Sequence, residues 1–204
     1  MVRAASLAFA ICACAALTPY ATVAEPRPPI ADPAAAPAGD YVLDKRHASV
    51  IAKVSHLGLS GYTMRFDKVD GRFDYDPTQP ETAKLTVTID ANSLDVGEDR
   101  LNRKFAREFL GAEDNPEITF VSTGIQRSDP SHGEVTGDLT LHGVTRPVSL
   151  AVTFNGYDQS LIGGRRMGFS AVGDIQRSDF GSKAWLGLVG DQVHLVIEAE
   201  FTHP

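Results

Sequence analysis

The chain has 204 residues with 26 acidic against 19 basic side chains, a formal charge of −7, and no overall excess of cations with which to neutralise a phosphate backbone. That balance argues against a nucleic-acid partner. Both cysteines, Cys12 and Cys14, fall at the very start, so the domain beyond is predicted to carry neither a disulfide nor thiolate chemistry, and to stand on its apolar core alone.

Residues 1–24 read as a cleavable export signal. Arg3 gives a minimal basic start, Leu7 to Leu17 an apolar centre and Pro19 a break, and Thr22-Val23-Ala24 supplies small residues at a cleavage site. The apolar run is shorter than the ~20 residues a membrane-spanning helix needs. Cys14 follows Ile11-Cys12-Ala13, a poor lipoprotein box because a second Cys stands inside it. Residues 25–39 hold five prolines among alanines and are predicted to form an extended spacer. One folded domain, residues 40–204, follows.

Within it the dominant signal is alternation. Val50, Ala52 and Val54 share a face with His56, predicting a first strand over 49–56. Residues 57–66, with Gly58 and Gly61, read as a turn or helical detour. Val69, Gly71, Phe73 and Tyr75 define a second strand, and Leu85, Val87, Ile89 and Ala91 a third. The period then changes. Leu101, Phe105 and Phe109 recur every four residues between Glu98 and Leu110, which places them on one side of a helix. Asp95 with Glu98 predicts a capping box, and Gly111 a C-terminal stop. The opposite face carries Arg100, Arg103, Lys104 and Arg107.

A fourth strand is predicted over 118–126. Val135, Leu139 and Leu141 then share one parity, and Val148, Leu150, Val152 and Phe154 another, around the turn 142–147, where Gly143 is free to take positive φ and Pro147 is expected to end the loop. This hairpin supplies strands five and six. Residues 166–176 and 193–201 make the seventh and eighth. Eight strands without alternating helices imply an all-β antiparallel sheet, which escapes its edge problem by closing into a barrel, with a sandwich as the alternative. An eight-stranded barrel is wide enough to fill with side chains or to hold one slender ligand. Ala52, Gly71, Ala91, Gly124, Ala171, Gly173 and Ala199 among larger inward residues fit either a hollow interior or bulges and tight corners.

No nucleophile elbow, zinc-protease helix, phosphate loop or C-x-x-C pair is present, and no two of the six histidines stand at metal-ligand spacing. His56 and His142, at a strand end and a hairpin turn, are the two candidates for a head-group contact or a general base, set against the ordinary reading of imidazoles satisfied by backbone. The Arg100/Arg103/Lys104/Arg107 stripe reads as a solvated helix face or as an anion clamp at a barrel mouth. Arg165 and Arg166, after Gly163-Gly164, are a second such pair, and Trp185 reads as a rim or a core aromatic.

Residues 137–148, Gly-Asp-Leu-Thr-Leu-His-Gly-Val-Thr-Arg-Pro-Val, resemble the signature hairpin of the YceI-like family of bacterial periplasmic polyisoprenoid-binding proteins. Further carriers are Tyr41-Val42-Leu43-Asp44, His47-Ala48-Ser49-Val50, Ser55-His56-Leu57-Gly58, Asn115-Pro116-Glu117-Ile118-Thr119-Phe120, Gly168-Phe169-Ser170-Ala171 and Arg177-Ser178-Asp179-Phe180-Gly181. The likeness runs from Tyr41 to Phe201. It departs at the helix, where the family's usual Arg-Asp-x-His-Leu reads Arg100-Leu101-Asn102-Arg103-Lys104-Phe105. The resemblance implies an eight-stranded lipocalin-like barrel with one amphipathic helix near its mouth. It also implies a homodimer in the periplasm that binds or transports an isoprenoid or quinone-type lipid without enzymatic chemistry, cofactor or metal. Contact with a membrane surface is a further possibility. The expected lining is Val54, Phe73, Val87, Ile89, Phe105, Phe120, Leu139, Leu141, Val152, Phe154, Phe169 and Leu195, with His142 beside it. Arg100, Arg103, Lys104, Arg165 and Arg166 are the head-group candidates. Two other classes stand beside this reading: a stress-response interaction module with a solid core, and a hydrolase using His56 or His142.

Overall fold

Alternating apolar residues become strands in the structure, a computed structural model that describes residues 27–160 and 164–203. The expected export signal and both cysteines lie outside the described residues, as does Gly163. The strands are β1 (Gly39–His56), β2 (Ser60–Phe66), β3 (Val69–Tyr75), β4 (Lys84–Asp90) and β5 (Leu94–Asp95). After helix α1 (Asp99–Leu110) come β6 (Glu117–Arg127), β7 (His132–Leu141), β8 (Val144–Ser160), β9 (Gly164–Gln176) and β10 (Val189–His203). All pair antiparallel in the order β10-β9-β8-β7-β6-β4-β3-β1, and β10 returns to β1 to close a barrel.

The barrel has eight staves because β2 and β3 act as one bent strand. β2 pairs with the C-terminal half of β1 (Val50↔Phe66 to His56↔Ser60), and β3 with its N-terminal end (Gly39↔Tyr75 to Val42↔Arg72). The outer edge of β2 pairs only with the two residues of β5. Residues 60–66 are therefore strand and not the turn or detour the sequence reading expected. Tyr62, Met64 and Phe66 alternate with Gly61, Thr63 and Arg65, and the flanking glycines had disguised that period.

The hairpin turn is tighter than its six-residue reading. Leu141 pairs with Val144, leaving His142 and Gly143, at φ 54° and 74°, as a two-residue turn with both central residues left-handed. That sign matches the right-handed twist of the flanking strands. Pro147 does not end a loop but lies in β8, opposite Asp138 of β7. It is tolerated because pairing of β8 with β9 begins only at Ala151, so its missing N–H faces an unpaired edge.

α1 begins one residue after Glu98, which caps the helix without a side-chain hydrogen bond. The expected capping box is replaced. Asp95 accepts from Gly97 N–H and Asn102 Nδ2, and Asn102 Oδ1 accepts from Val96 N–H. Gly111, at φ 59°, ends the helix in the left-handed region, with its N–H donating to Arg107 and that of Ala112 to Ala106.

Residues 27–38 are not a free spacer. Ile30 exchanges both backbone hydrogen bonds with Tyr157, Pro33–Ala35 form a 3-10 turn capped by Asp32, and Pro33 and Ala36 are buried. The cause is an aromatic cluster at this end of the barrel. Tyr41 is fully buried, stacks on Phe73 at 5.0 Å and donates to the Pro37 carbonyl, while Tyr75 donates to the Pro33 carbonyl. α1, the 142–143 turn, the 57–59 turn and the loop 177–188 gather at the other end.

Candidate functional site

A cavity of about 610 Å³ runs inside the barrel, within the range of ligand sites. All twelve apolar residues expected as lining touch it: Val54, Phe73, Val87, Ile89, Phe105, Phe120, Leu139, Leu141, Val152, Phe154, Phe169 and Leu195. The small residues divide by place. Ala52, Ala171 and Ala199 line the cavity, whereas Gly173 lies under Leu150 Cδ2, Gly124 sits at a register shift of β6, and Ala91 belongs to a 3-10 turn. Both readings of the small residues therefore hold, at different positions.

At the helix end, the sequence period of α1 delivers Leu101, Phe105 and Phe109 to the cavity. Phe105 meets Tyr62 edge-on at 6.1 Å and Phe109 at 5.3 Å. Lys104 stands over the Trp185 ring at 5.3 Å, and Trp185 Nε1 donates to Glu108 at 3.1 Å, so helix and loop meet across the mouth. His56, Lys104 and Trp185 line the cavity where it reaches this surface. At the far end the lining includes Arg127, His132 and Glu134, between which and the mouth the wall is almost wholly apolar.

One buried cation was not singled out from sequence. Arg177, 5% exposed, lines the cavity and donates from Nε to the Gly190 carbonyl, from one terminal nitrogen to Ser182 and from the other to Val189. Its guanidinium lies 5.4 Å from the centre of the Phe109 ring. Burial pulls its pKa down, and nearby Asp191 opposes that shift. Beside it, Ser182 Oγ is buried without a hydrogen-bond partner. Among the described residues, no group of three or more His, Cys, Asp or Glu is placed to hold a metal ion.

The family model for the YceI-like domain matches residues 41–201, which is the whole barrel and its helix. This chain belongs to the YceI-like family. The YceI protein of Escherichia coli O6:H1 is 37% identical over 166 residues, covering 80% of this chain and 86% of that protein. The crystal structure of Burkholderia cenocepacia BcnA superimposes with a TM-score of 0.68 at 27% identity, over 78% of this chain and 98% of BcnA. A polyisoprenoid binding domain from Saccharophagus degradans shares the fold, with a TM-score of 0.63 at 16% identity over 80% and 98% of the two chains.

On this YceI-like barrel the polar candidates are dispersed. Arg100 and Arg103 are exposed on α1 and only Lys104 of that stripe reaches the cavity. Arg165 and Arg166 pair with His203 and Thr202, at the opposite end, so the two basic groups form no single clamp. Arg166 is held there by Glu200 and by Asp44 at 3.6 Å. The His47 hydrogen bond keeps the Asp44 carboxyl well below the usual carboxylate range. His142 does not line the cavity; its ring lies against Gly111 and Gly181, where a Cβ on Gly111 would come within 2.9 Å. His56 does line it, beside Tyr62 at 6.4 Å. The two histidines thus do not share the cavity. Tyr62, Met64 and Phe66 of β2 join the lining although sequence reading had not put them there, while Trp185, half exposed at the mouth, takes the rim place that was one of its two readings. The period-two spacing of the first three was the available signal.

Proposed function

We propose that this YceI-like protein is an exported carrier that holds a long, slender apolar lipid of the isoprenoid or quinone type along the barrel axis, without catalysing a reaction on it. The observation that carries this reading is the cavity itself, whose wall is almost wholly apolar. β10 alone has 15 residues, about 50 Å of strand, and even tilted by roughly 40° it spans upward of about 35 Å of axis. A chain of methylenes buried there gains roughly 0.8 kcal/mol per CH₂ and needs no catalytic group to bind. Export rests on the signal read in residues 1–24.

The test is native mass spectrometry with solvent extraction of protein purified from its own periplasm, beside an Ala171→Phe variant. Ala171 faces the cavity from β9, so the larger side chain occupies ligand space while staying apolar. The expected result is a discrete hydrophobic mass released from the parent protein and absent from the folded variant. A parent protein that emerges empty and takes up neither isoprenoids nor quinones overturns the carrier reading in favour of an interaction module.

A further inference from the structure

Buried hydroxyls are almost always hydrogen-bonded, so one that is not calls for a partner from outside the chain. Among the described residues a single buried side-chain oxygen or nitrogen lacks a partner, and it is Ser182 Oγ. Ser182 is 2% exposed and lines the cavity at the helix end. Its backbone is tied to Arg177 on both sides. The Ser182 N–H donates to the Arg177 carbonyl at 3.1 Å, and the Ser182 carbonyl accepts from an Arg177 terminal nitrogen at 2.9 Å. The backbone that carries the hydroxyl is therefore held in place before any ligand arrives, as a binding group requires. Water is a poor partner for it, because a buried water needs several polar neighbours and the cavity wall is almost wholly apolar.

The surroundings select the chemistry of the missing partner. Arg177 donates from Nε and from both terminal nitrogens to carbonyls of its own chain, so the free hydrogen-bonding capacity here is chiefly that of Ser182. A hydroxyl can donate to a carbonyl or exchange a hydrogen bond with another hydroxyl, but it brings no charge to offset the desolvation of an anion. Charge at this end of the barrel does not favour an anion either. Glu98, Asp99 and Glu108 at α1, Glu113 and Asp114 after it, and Asp179 and Asp191 beyond β9 match the cations of α1 together with Arg177 and Lys183. Asp191, which accepts from both the N–H and the hydroxyl of Ser178, already offsets the charge of Arg177. Phe105 and Phe109 supply apolar wall beside the site.

We propose that Ser182 Oγ anchors the head of the cargo, and that this head is an uncharged oxygen, a quinone carbonyl or a prenol hydroxyl, and not a phosphate or pyrophosphate. The assignment rests on the carrier reading and sharpens it: buried area holds the tail, and a hydrogen bond to Ser182 holds the head. It also fixes which way round the chain lies, with its tail running toward Arg127 and His132 at the far end of the cavity.

The experiment is displacement of a fluorescent apolar probe from the mature, cargo-free protein by ligands that share a geranylgeranyl-length tail and differ in head. They are the menaquinone with that tail, the alcohol geranylgeraniol, geranylgeranyl pyrophosphate and the headless hydrocarbon phytane. The quinone or the alcohol is expected to bind roughly tenfold more tightly than phytane and than the pyrophosphate, from one hydrogen bond made in a buried site. The tighter of the two names the source of the oxygen. In Ser182→Ala that advantage should vanish while the affinity for phytane stays as in the parent. Because the hydroxyl has no partner to lose, the empty variant should unfold at the same urea concentration as the empty parent or above it. A lower midpoint would mean that the hydroxyl is already satisfied, and overturns the proposal. So does a head preference that survives in Ser182→Ala, or a pyrophosphate that binds most tightly. If phytane binds as well as the quinone and the alcohol, the head site falls and the carrier reading stands. If none of the ligands displaces the probe, the carrier reading falls and takes the head site with it.

Discussion

Three carbonyls, those of Gly190, Ser182 and Val189, are gathered by the one guanidinium of Arg177. Arg177→Met keeps much of the bulk but removes every donor. A buried polar group left unsatisfied costs about 1–3 kcal/mol, so the variant is expected to lose at least about 2 kcal/mol in urea unfolding. The loop 181–188 should also become more sensitive to protease. Tyr41 makes a pH prediction. Burial, with Tyr157 and Tyr75 nearby, raises its pKa from 10.0 to about 12. The folded state therefore keeps the phenol proton where the unfolded chain has lost it. Stability is full below pH 10 and falls as pH rises from about 10 to about 12. Unfolding midpoints across that window should drop, and less steeply in Tyr41→Phe. Residues of these two kinds differ in how far sequence reveals them. The cavity-lining side chains were legible because strand parity assigns a face to each. Arg177 was not, because its acceptors come from a loop and a strand start that fold back only after β9 and β10 have paired.

Strand pairs carry a further constraint where a glycine on one permits a large side chain on the next. A Cβ on Gly137 of β7 would stand 2.4 Å from Phe120 Cζ and 2.6 Å from the Val121 carbonyl of β6. Because one of those neighbours is backbone, Gly137→Val cannot be absorbed by a rotamer change and is expected to cost about 1–3 kcal/mol in thermal or urea unfolding. Gly173→Ala should cost less, since Leu150 Cδ2, at 2.6 Å, is the end of a flexible side chain, although the Ser149 carbonyl stands at 3.1 Å. Elements with a long, unbroken period were legible: β4, the β7–β8 hairpin, β10 and the apolar stripe of α1. β2 was missed because Gly58 and Gly61 look like punctuation. The helix start was misread because Asp95 spends its carboxylate on Gly97 and Asn102 before Glu98 is reached. The segment 30–36 was misread because proline spacing says nothing of Tyr41, Tyr75 and Tyr157, the surfaces that hold it.

For the molecule as a whole, cargo should be visible in stability. A ligand present at a hundred times its Kd adds about 2.7 kcal/mol to a folded state that binds it, and for a domain of this size each kcal/mol moves Tm by roughly 2–4 °C. Extracted protein is therefore expected to melt several degrees below loaded protein and to recover on reloading, with Ala171→Phe indifferent to both treatments. The closed topology was legible from eight strands and the need to hide edges, while the cavity was not, because volume depends on how side chains from opposite walls meet.

The bent strand leaves its mark on the mechanics of the wall. β10 is hydrogen-bonded along both edges, to β1 and to β9, whereas the outer edge of β2 has only Arg65 and Phe66 paired, with Asp95 and Leu94. Beyond those two residues that flank meets side chains of α1 such as Phe105, a contact that can slip without breaking a ladder. Outer-edge amides of β2 should accordingly exchange with deuterium far sooner than those in the middle of β10. A tube stitched this unevenly is expected to widen by parting at a seam beside its own mouth, while the staves paired on both edges stay in place.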